Sequence, residues 1–455
     1  MGLEDLGDLA LHLIMSKLDA KEAAILSCVN KRLRVSASEE RLWRKFCADD
    51  LDLLAPEDPD GNTVPSFKAA YQIWRKVFIM SPWLLIRRVK RCWNTIKSWM
   101  AANFPEAGGT LRKGASEAEI KEMEDTLGVK LPLPTKVLYR FCDGQDITSV
   151  FSSGSERGSS LGLIGGYSFY DHVVNVYLLP LSQVIAETKE FVRHLGFSNR
   201  SKYIVVAASS TYGEKLFFLN CSNAQLYVGT KNLSIDGEMI ACVPSTLINS
   251  VHNFHGNQQQ DAMLLWLEEH GRRLHSGIIG LRGEGDVRSI NLFPESPPLC
   301  STAATNGVQT RASSLLIPEL CDPQKESEKY WFSYSIRMRL LPEGCIINGT
   351  SFGSCQLYWR RWIIRANDTV ISDVNDEAVI GKDLVTGKMI GCGKYPLLYP
   401  DGKEFVYESC TPLTSSSGSI EGAFTFVPGR LTEPKGMPFD VKVARFLLKV
   451  PDYVF

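Results

Sequence analysis

No C-x-x-C occurs in the 455 residues, and the twelve cysteines stand apart, the closest spacing being Cys345 to Cys355. That scatter excludes a zinc ribbon and the disulfide framework of a small secreted domain. Reduced thiols in the cytoplasm or nucleus are expected instead. An excess of one charge is also missing: 50 Lys and Arg stand against 51 Asp and Glu, a formal net charge of −1. No whole-chain field draws such a protein to nucleic acid or to an anionic membrane, so neither is expected as a partner. No apolar run reaches bilayer length. The most membrane-like stretch, Val77 to Ile86, contains Ser81-Pro82 and is roughly half of a crossing. The opening, Met1-Gly2-Leu3-Glu4-Asp5, is acidic and lacks the basic start of a signal peptide. Histidine is scarce, with seven in all and none after His275.

What is present is the balance of globular protein: 44% hydrophobic and 22% charged residues. The length predicts about two to four domains. In the first 50 residues, Leu6, Ala10, Leu13, Ile14 and Leu18 recur at helical spacing. Ala24, Leu26, Val29 and Leu33 follow, then Leu42, Trp43 and Phe46. Asp19 is the expected N-cap of the second helix, with Glu22 completing a capping box. Three short helices in so few residues cannot bury a core of ordinary size, so a partner surface is expected.

Leu6-Gly7-Asp8-Leu9-Ala10-Leu11-His12-Leu13-Ile14-Met15-Ser16-Lys17-Leu18, continuing through Leu26 to Leu33 and Leu42-Trp43-Arg44, resembles an F-box. The resemblance implies docking on the Skp adaptor and, through it, a cullin scaffold. Leu6, Leu9, Leu11, Ile14, Met15, Leu18, Leu26, Val29 and Leu33 are the expected contacts, with Leu9, Leu11, Ile14 and Met15 facing outward and Trp43 closing the unit's own core. Gly7 stands where the family usually has proline, which weakens the entry to the first helix. Ala23 and Ala24 replace larger residues and are expected to thin the contact.

Residues 51–104 read as a helical connector. Leu85, Val89, Cys92, Trp93, Ile96, Trp99 and Met100 form an apolar stripe among Arg87, Arg88, Lys90, Arg91 and Lys97. The preferred reading is a rigid spacer packed on the next domain, over a membrane, calmodulin or nucleic-acid helix.

Residues 105–275 read as an α+β domain with an antiparallel sheet. Ser116 and Glu119 form a capping box, Gly128 ends that helix, and Val137, Leu138 and Phe141 mark a second. Strands are expected at 161–164, 173–179, 203–207, 216–219 and 226–228, and a closing helix at about 261–269. Ile120-Lys121-Glu122-Met123-Glu124-Asp125-Thr126-Leu127-Gly128, Leu131-Pro132 and Phe141-Cys142-Asp143-Gly144 are similar to the SUKH fold, which implies a protein-binding module.

Residues 276–310, with Pro294, Pro297, Pro298 and many Ser and Thr, read as a linker. Residues 311–455 read as an all-β sandwich. Phe332, Tyr334, Ile336, Met338 and Leu340 alternate with Trp331, Ser333, Ser335, Arg337 and Arg339, the pattern of a half-buried strand. Tyr334-Ser335-Ile336-Arg337-Met338, Leu357-Tyr358-Trp359-Arg360-Arg361-Trp362-Ile363-Ile364, Glu404 to Cys410 and Ser417 to Phe424 resemble the immunoglobulin-like ApaG domain. F-box, SUKH-like and ApaG domains in this order resemble one group of eukaryotic F-box proteins that includes plant members. Only Gly381 of the family's G-x-G-x-x-G loop is matched, and Asp383 to Lys394 reads as an insertion, so no nucleotide site is expected.

Enzyme motifs are weak. Gly349-Thr350-Ser351-Phe352-Gly353 and Gly158-Ser159-Ser160-Leu161-Gly162 fit G-x-S-x-G, but the first has no later histidine and the second lies in a Ser/Gly-rich loop. Gly283-Glu284-Gly285 lacks the context of a phosphate loop. His252 and His255 have no further metal ligand beside them. The expected function is therefore a non-catalytic target-recognition subunit of a Skp–cullin–F-box ubiquitin ligase, with no cofactor and no metal. The rivals are a Skp-binding scaffold that degrades nothing, and a nucleotide-binding or hydrolytic enzyme.

Overall fold

A computed structural model describes residues 7–79, 81–146, 160–169, 172–194, 202–209, 215–229, 239–249, 260–284, 287–322, 325, 327, 329–377 and 395–455. The N-terminal unit has four helices where three are expected: α1 (Asp8–Met15), α2 (Ala20–Leu26), α3 (Lys31–Ser36) and α4 (Glu40–Leu51). Asn30 makes the extra break. Its side chain accepts a hydrogen bond from the Leu33 amide and starts a new helix.

The hydrophobic core does not stop at position 50. The core of α4 continues into α5 (Phe67–Val77) and α6 (Trp83–Asn103). Trp43 meets Phe46 and Tyr71 with ring centroids 5.5 and 5.4 Å apart, and Tyr71 meets Trp83 at 5.1 Å. The Cys47 thiol donates to the Phe67 carbonyl. The apolar stripe of α6 is buried, as expected of a spacer. Its cations are held by neighbours: Arg91 pairs with Asp52 at 2.7 Å, Lys90 donates to the Leu51 carbonyl, and Arg88 clasps Glu268 in the next domain through two bonds of 2.7 and 2.6 Å.

The middle domain opens with α7 (Pro105–Gly108), α8 (Glu117–Leu127) and α9 (Leu133–Phe141). The Ser116–Glu119 capping box is present, and Gly128 ends α8 at φ +65°. There follow β1 (Gly165–Phe169), β2 (His172–Leu178), α10 (Leu181–His194), β3 (Tyr203–Ser209), β4 (Leu216–Asn220), β5 (Leu226–Gly229), β6 (Ile240–Ala241), α11 (Ser245–Asn249), α12 (Ala262–His275), β7 (Gly280–Glu284) and β8 (Val287–Asn291). One eight-stranded sheet runs β6-β5-β4-β3-β2-β1-β8-β7. It is antiparallel except where β8 joins β1 in parallel. The strand expected at 161–164 instead begins at Gly165, because two glycines permit close approach. A Cβ at Gly165 would lie 2.3 Å from the Ile290 carbonyl oxygen, and one at Gly166 would collide with Val174. Helix α12 starts at Asp261 as expected but runs past 269 to His275. Gly271 lets it lie against Thr95 and Ile96 of α6.

The linker expected at 276–310 is corrected by the structure. Its first part is β7 and β8, and its second part forms β9 (Cys300–Thr305) and the start of β10 (Val308–Leu316). Ser289, Ser301, Thr302, Thr305 and Thr310 are strand residues there, not loop formers. The prolines fall only in the crossing between β8 and β9.

The remaining strands are β11 (Tyr330–Leu340), β12 (Cys345–Ile347), β13 (Thr350–Phe352), β14 (Cys355–Ala366), β15 (Thr369–Glu377), β16 (Leu397–Leu398), β17 (Phe405–Leu413), β18 (Ser417–Arg430), β19 (Glu433–Pro434) and β20 (Phe439–Lys449). A sheet β17-β11-β10-β9 packs on a sheet whose path is β15-β14-β18-β19, with β20 also on β18 and β16 on β14. Gly349 through Gly353 lie at a hairpin. Asn348 and Gly349 both have positive φ between β12 and β13, and the Ser351 hydroxyl donates to the Glu343 carbonyl. His252, His255, Gly158, Ser159, Gly285 and the 383–394 insertion lie outside the described residues.

The half-buried reading of β11 is also corrected. Ser333, Ser335 and Arg337 are as buried as the apolar face, because the middle domain covers them. Arg282 of β7 pairs with Glu295 at 2.7 Å and Glu408 of β17 at 3.2 Å. Arg311 pairs with Glu404 at 2.8 Å, and Arg337 with Glu295. At a second junction, Glu319 in a single 3-10 turn (Pro318–Leu320) accepts from Tyr167 of β1 and lies 2.9 Å from the His172 ring. Lys215, fully buried, donates to the Tyr167 hydroxyl and to the Phe455 carbonyl. Trp266 of α12 stacks on Phe455 and donates to the Val454 carbonyl. Replacing Arg337 by alanine breaks a buried ion pair and is expected to cost about 3 kcal/mol, read as a lower urea midpoint with near-normal secondary structure.

His270 of α12 is buried beside Phe455 and donates from Nε2 to the Leu163 carbonyl at 2.9 Å. Burial pushes its imidazole down from 6.5 to about 4. A depressed folded value adds stability that is present above pH 6.5 and lost as pH falls towards 4, on the order of 3 kcal/mol. Asp261, pushed up to about 6 by burial, acts in the opposite sense. The two offset in the whole-chain profile, so variants are needed to separate them. Wild type should lose its stability advantage over His270→Gln as pH falls from 7 to 4. A constant advantage would contradict this.

Candidate docking surface

The four N-terminal helices are set by local chemistry. Gly7 precedes α1 with φ −62° and ψ 153° and supplies no side-chain cap. Asp19 accepts from the Glu22 amide at 2.7 Å while Glu22 accepts from the Asp19 amide at 3.0 Å, completing the expected capping box. His12 reaches Glu39 at 2.8 Å, and Lys45 donates to the Ser16 carbonyl, tying α1 to the start and middle of α4.

Leu11, Met15, Ala20, Ala23, Leu33, Ala37, Leu42, Trp43 and Phe46 point inward. The Trp43 indole donates to the Ala37 carbonyl at 2.7 Å, so Trp43 does close the unit's own core. Three expected contacts are therefore corrected. Leu11, Met15 and Leu33 are at most 3% exposed and hold the unit together. Ala23 belongs to the same core, where its small size lets α2 approach, so it does not thin an outer contact. Ile14 and Val29 do face solvent, at 37% and 63% exposure. Leu18 and Leu26 are half-buried. Leu6 and the Leu9 side chain lie outside the described residues.

Three residues absent from the expected set complete the outer face: Leu13, Ile25 and Val35, each more than half exposed. A signal was available. Six of the eight residues of α1 are apolar or alanine, more than a single inward face can use. In α2 and α3, Ile25 and Val35 each sit two positions after a buried residue, Ala23 and Leu33, and so point away from the core. The outer face is thus Leu13 and Ile14 on α1, Ile25 on α2, Val29 in the turn, and Val35 on α3. Lys21, Lys31, Arg32 and Arg34 are exposed around it. Large apolar side chains left exposed on three short helices make this a candidate interaction site. Its residue types, large aliphatics on short helices, suit a partner helix laid across them. Among the described residues, no group of three His, Cys, Asp or Glu side chains is placed to hold a metal.

Residues 3–45 match the F-box domain and residues 321–428 the ApaG domain. F-box protein SKIP16 of Arabidopsis thaliana is 56% identical over the full length of both chains. The chain belongs to this F-box protein family. Human F-box only protein 3 is 23% identical over 99% of this chain and 84% of its own. Protein ApaG of Nitrosomonas europaea is 31% identical over 32% of this chain and 91% of its own. The expected F-box, mixed-sheet domain and ApaG sandwich are thus the architecture of this family member. The SUKH likeness rests on the sequence motifs alone.

The usual proline at position 7 is compatible with this fold. The φ of −62° suits a proline ring, a side chain added there meets nothing within 4 Å, and the Gly7 carbonyl still accepts from Leu11. Gly7→Pro is expected to stabilise the chain by about 0.4–1 kcal/mol through the unfolded state, measured by chemical denaturation. A loss of stability would show that the residues before α1 require glycine.

Proposed function

We propose that this F-box protein is the target-recognition subunit of a Skp–cullin–F-box ubiquitin ligase, in the cytoplasm or nucleus. It holds the Skp adaptor on the outer face of α1–α3 and carries a protein target on its middle and ApaG domains. The observation that supports this most is the set of large aliphatic side chains left facing solvent on α1–α3 while their neighbours fill the core. The ubiquitin chemistry then belongs to other subunits. This chain contributes proximity: a tethered target meets the transferred ubiquitin at high effective concentration. The continuous packing from α4 through α6 to the middle domain fixes the direction in which the target is held.

Removing residues 1–50 is a poor test, because it would uncover Tyr71 and Trp83. Point changes on the outer face are cleaner. The double variant Ile25→Asp, Val29→Asp should capture the purified Skp adaptor at least about tenfold less well. Its melting temperature should stay near wild type, since both side chains are exposed. Leu54→Asp, 86% exposed on the connector, should bind normally. Equal capture by the double variant and wild type would overturn the docking assignment.

A further inference from the structure

The edge of the ApaG domain carries exposed aromatic rings beside carboxylates. Strand β14 pairs with β18 in register up to Leu357↔Phe426 and resumes at Trp359↔Thr425, so Tyr358 is the extra residue of a bulge. Bulges re-aim side chains and end regular pairing. Here the bulge leaves Tyr358 40% exposed with its ring 5.9 Å from that of Trp359. On the other side of β14, β15 ends at Glu377 opposite Trp359, and β16 begins pairing at Gln356. Tyr395, 37% exposed, stands at this gap and donates to the Glu377 carboxylate at 3.2 Å. Its own hydroxyl titrates above the ordinary range, from residual burial and from the neighbouring Glu377 carboxylate.

Among the described residues the local charges do not cancel. Arg361 takes Asp373, and Arg360 takes Asp376 at 3.2 Å, leaving Asp376 more than half exposed. Glu377 has the Tyr395 hydroxyl and, among the described residues, no cation. Ring faces beside a carboxylate that no described cation neutralises recognise a cation whose stem is apolar, which describes arginine and lysine. Among the described residues β15 pairs with β14 alone, so its other edge is open to an added extended segment.

We infer that this surface grips a lysine- or arginine-bearing extended segment of the target protein. Tyr358, Trp359 and Tyr395 cover the cation's stem and charge, and Glu377, with the exposed part of Asp376, pairs with it. The inference rests on the receptor reading above and gives the target a chemistry.

The test uses the full chain and a fluorescein-labelled peptide of alternating arginine and threonine, with a glutamate–threonine peptide as its counterpart, read by anisotropy. Wild type should bind the arginine peptide and not the glutamate one. Tyr358→Ala and Glu377→Gln should each weaken binding about two- to fivefold. Glu433→Gln, an exposed carboxylate on β19, should bind as wild type. Both tested side chains are exposed, and circular dichroism melts check that their variants keep the fold. No binding by wild type, or equal weakening by Glu433→Gln, would overturn the inference. So would a Tyr358→Ala chain that loses only self-association. Adaptor capture is read separately on the same preparations. A chain that binds the arginine peptide but captures no adaptor overturns the receptor reading, and the converse overturns this one.

Discussion

A unit as small as α1–α4 cannot bury enough apolar surface to stand alone, and the rest of the molecule is arranged around that deficit. Trp43 and Phe46 close on Tyr71 and through it on Trp83, so the inner side of the F-box is finished by the connector. Among the described residues, nothing finishes its outer side. Burying Leu11, Met15 and Leu33 inward is what frees Leu13, Ile14, Ile25, Val29 and Val35 to face outward. The exposed aliphatic face is a consequence of that division, not an ornament added to a complete domain.

The same helix that completes the F-box also supports the middle domain. Arg88 holds Glu268, and the Trp93 indole donates to the Leu138 carbonyl. Beyond it, the polar face of β11 lies under the middle domain, with three arginines and three glutamates interleaved across the junction. Buried pairs of this sort add little net stability but penalise misalignment, since a slipped junction leaves charges unpaired. For a receptor this has a mechanical value. Under the proposed function, a target held on one end would keep a fixed bearing towards an adaptor held on the other.

Much of this was legible in the residues. The capping boxes at Asp19 and Ser116, the stop at Gly128 and the strands at 172–178, 330–340 and 355–366 follow from short-range chemistry, and they lie where local signals place them. Two of the misreadings come from contacts between elements distant in sequence. Ser333 and Arg337 look like a solvent face until another domain covers them. Residues 280–291 look like a linker until β8 is seen pairing across to β1. The outer face of the F-box was half legible. Helical spacing identifies which residues are apolar, but which of two apolar stripes faces the core depends on where α4 and α5 lie. Helix α10 was missed although Val184, Ile185 and Thr188 recur at helical spacing in it, because its neighbourhood reads as a run of strands.

The central claim is that the α1–α3 outer face, and not another surface, receives the adaptor. Amide hydrogen exchange on the full chain, with and without the purified Skp adaptor, addresses it residue by residue. Slowed exchange confined to the stretch from α1 to α3, with the sandwich strands β14 and β15 unchanged, is the predicted result. Protection centred on the middle or ApaG domain, with α1–α3 exchanging as in the free chain, would contradict it.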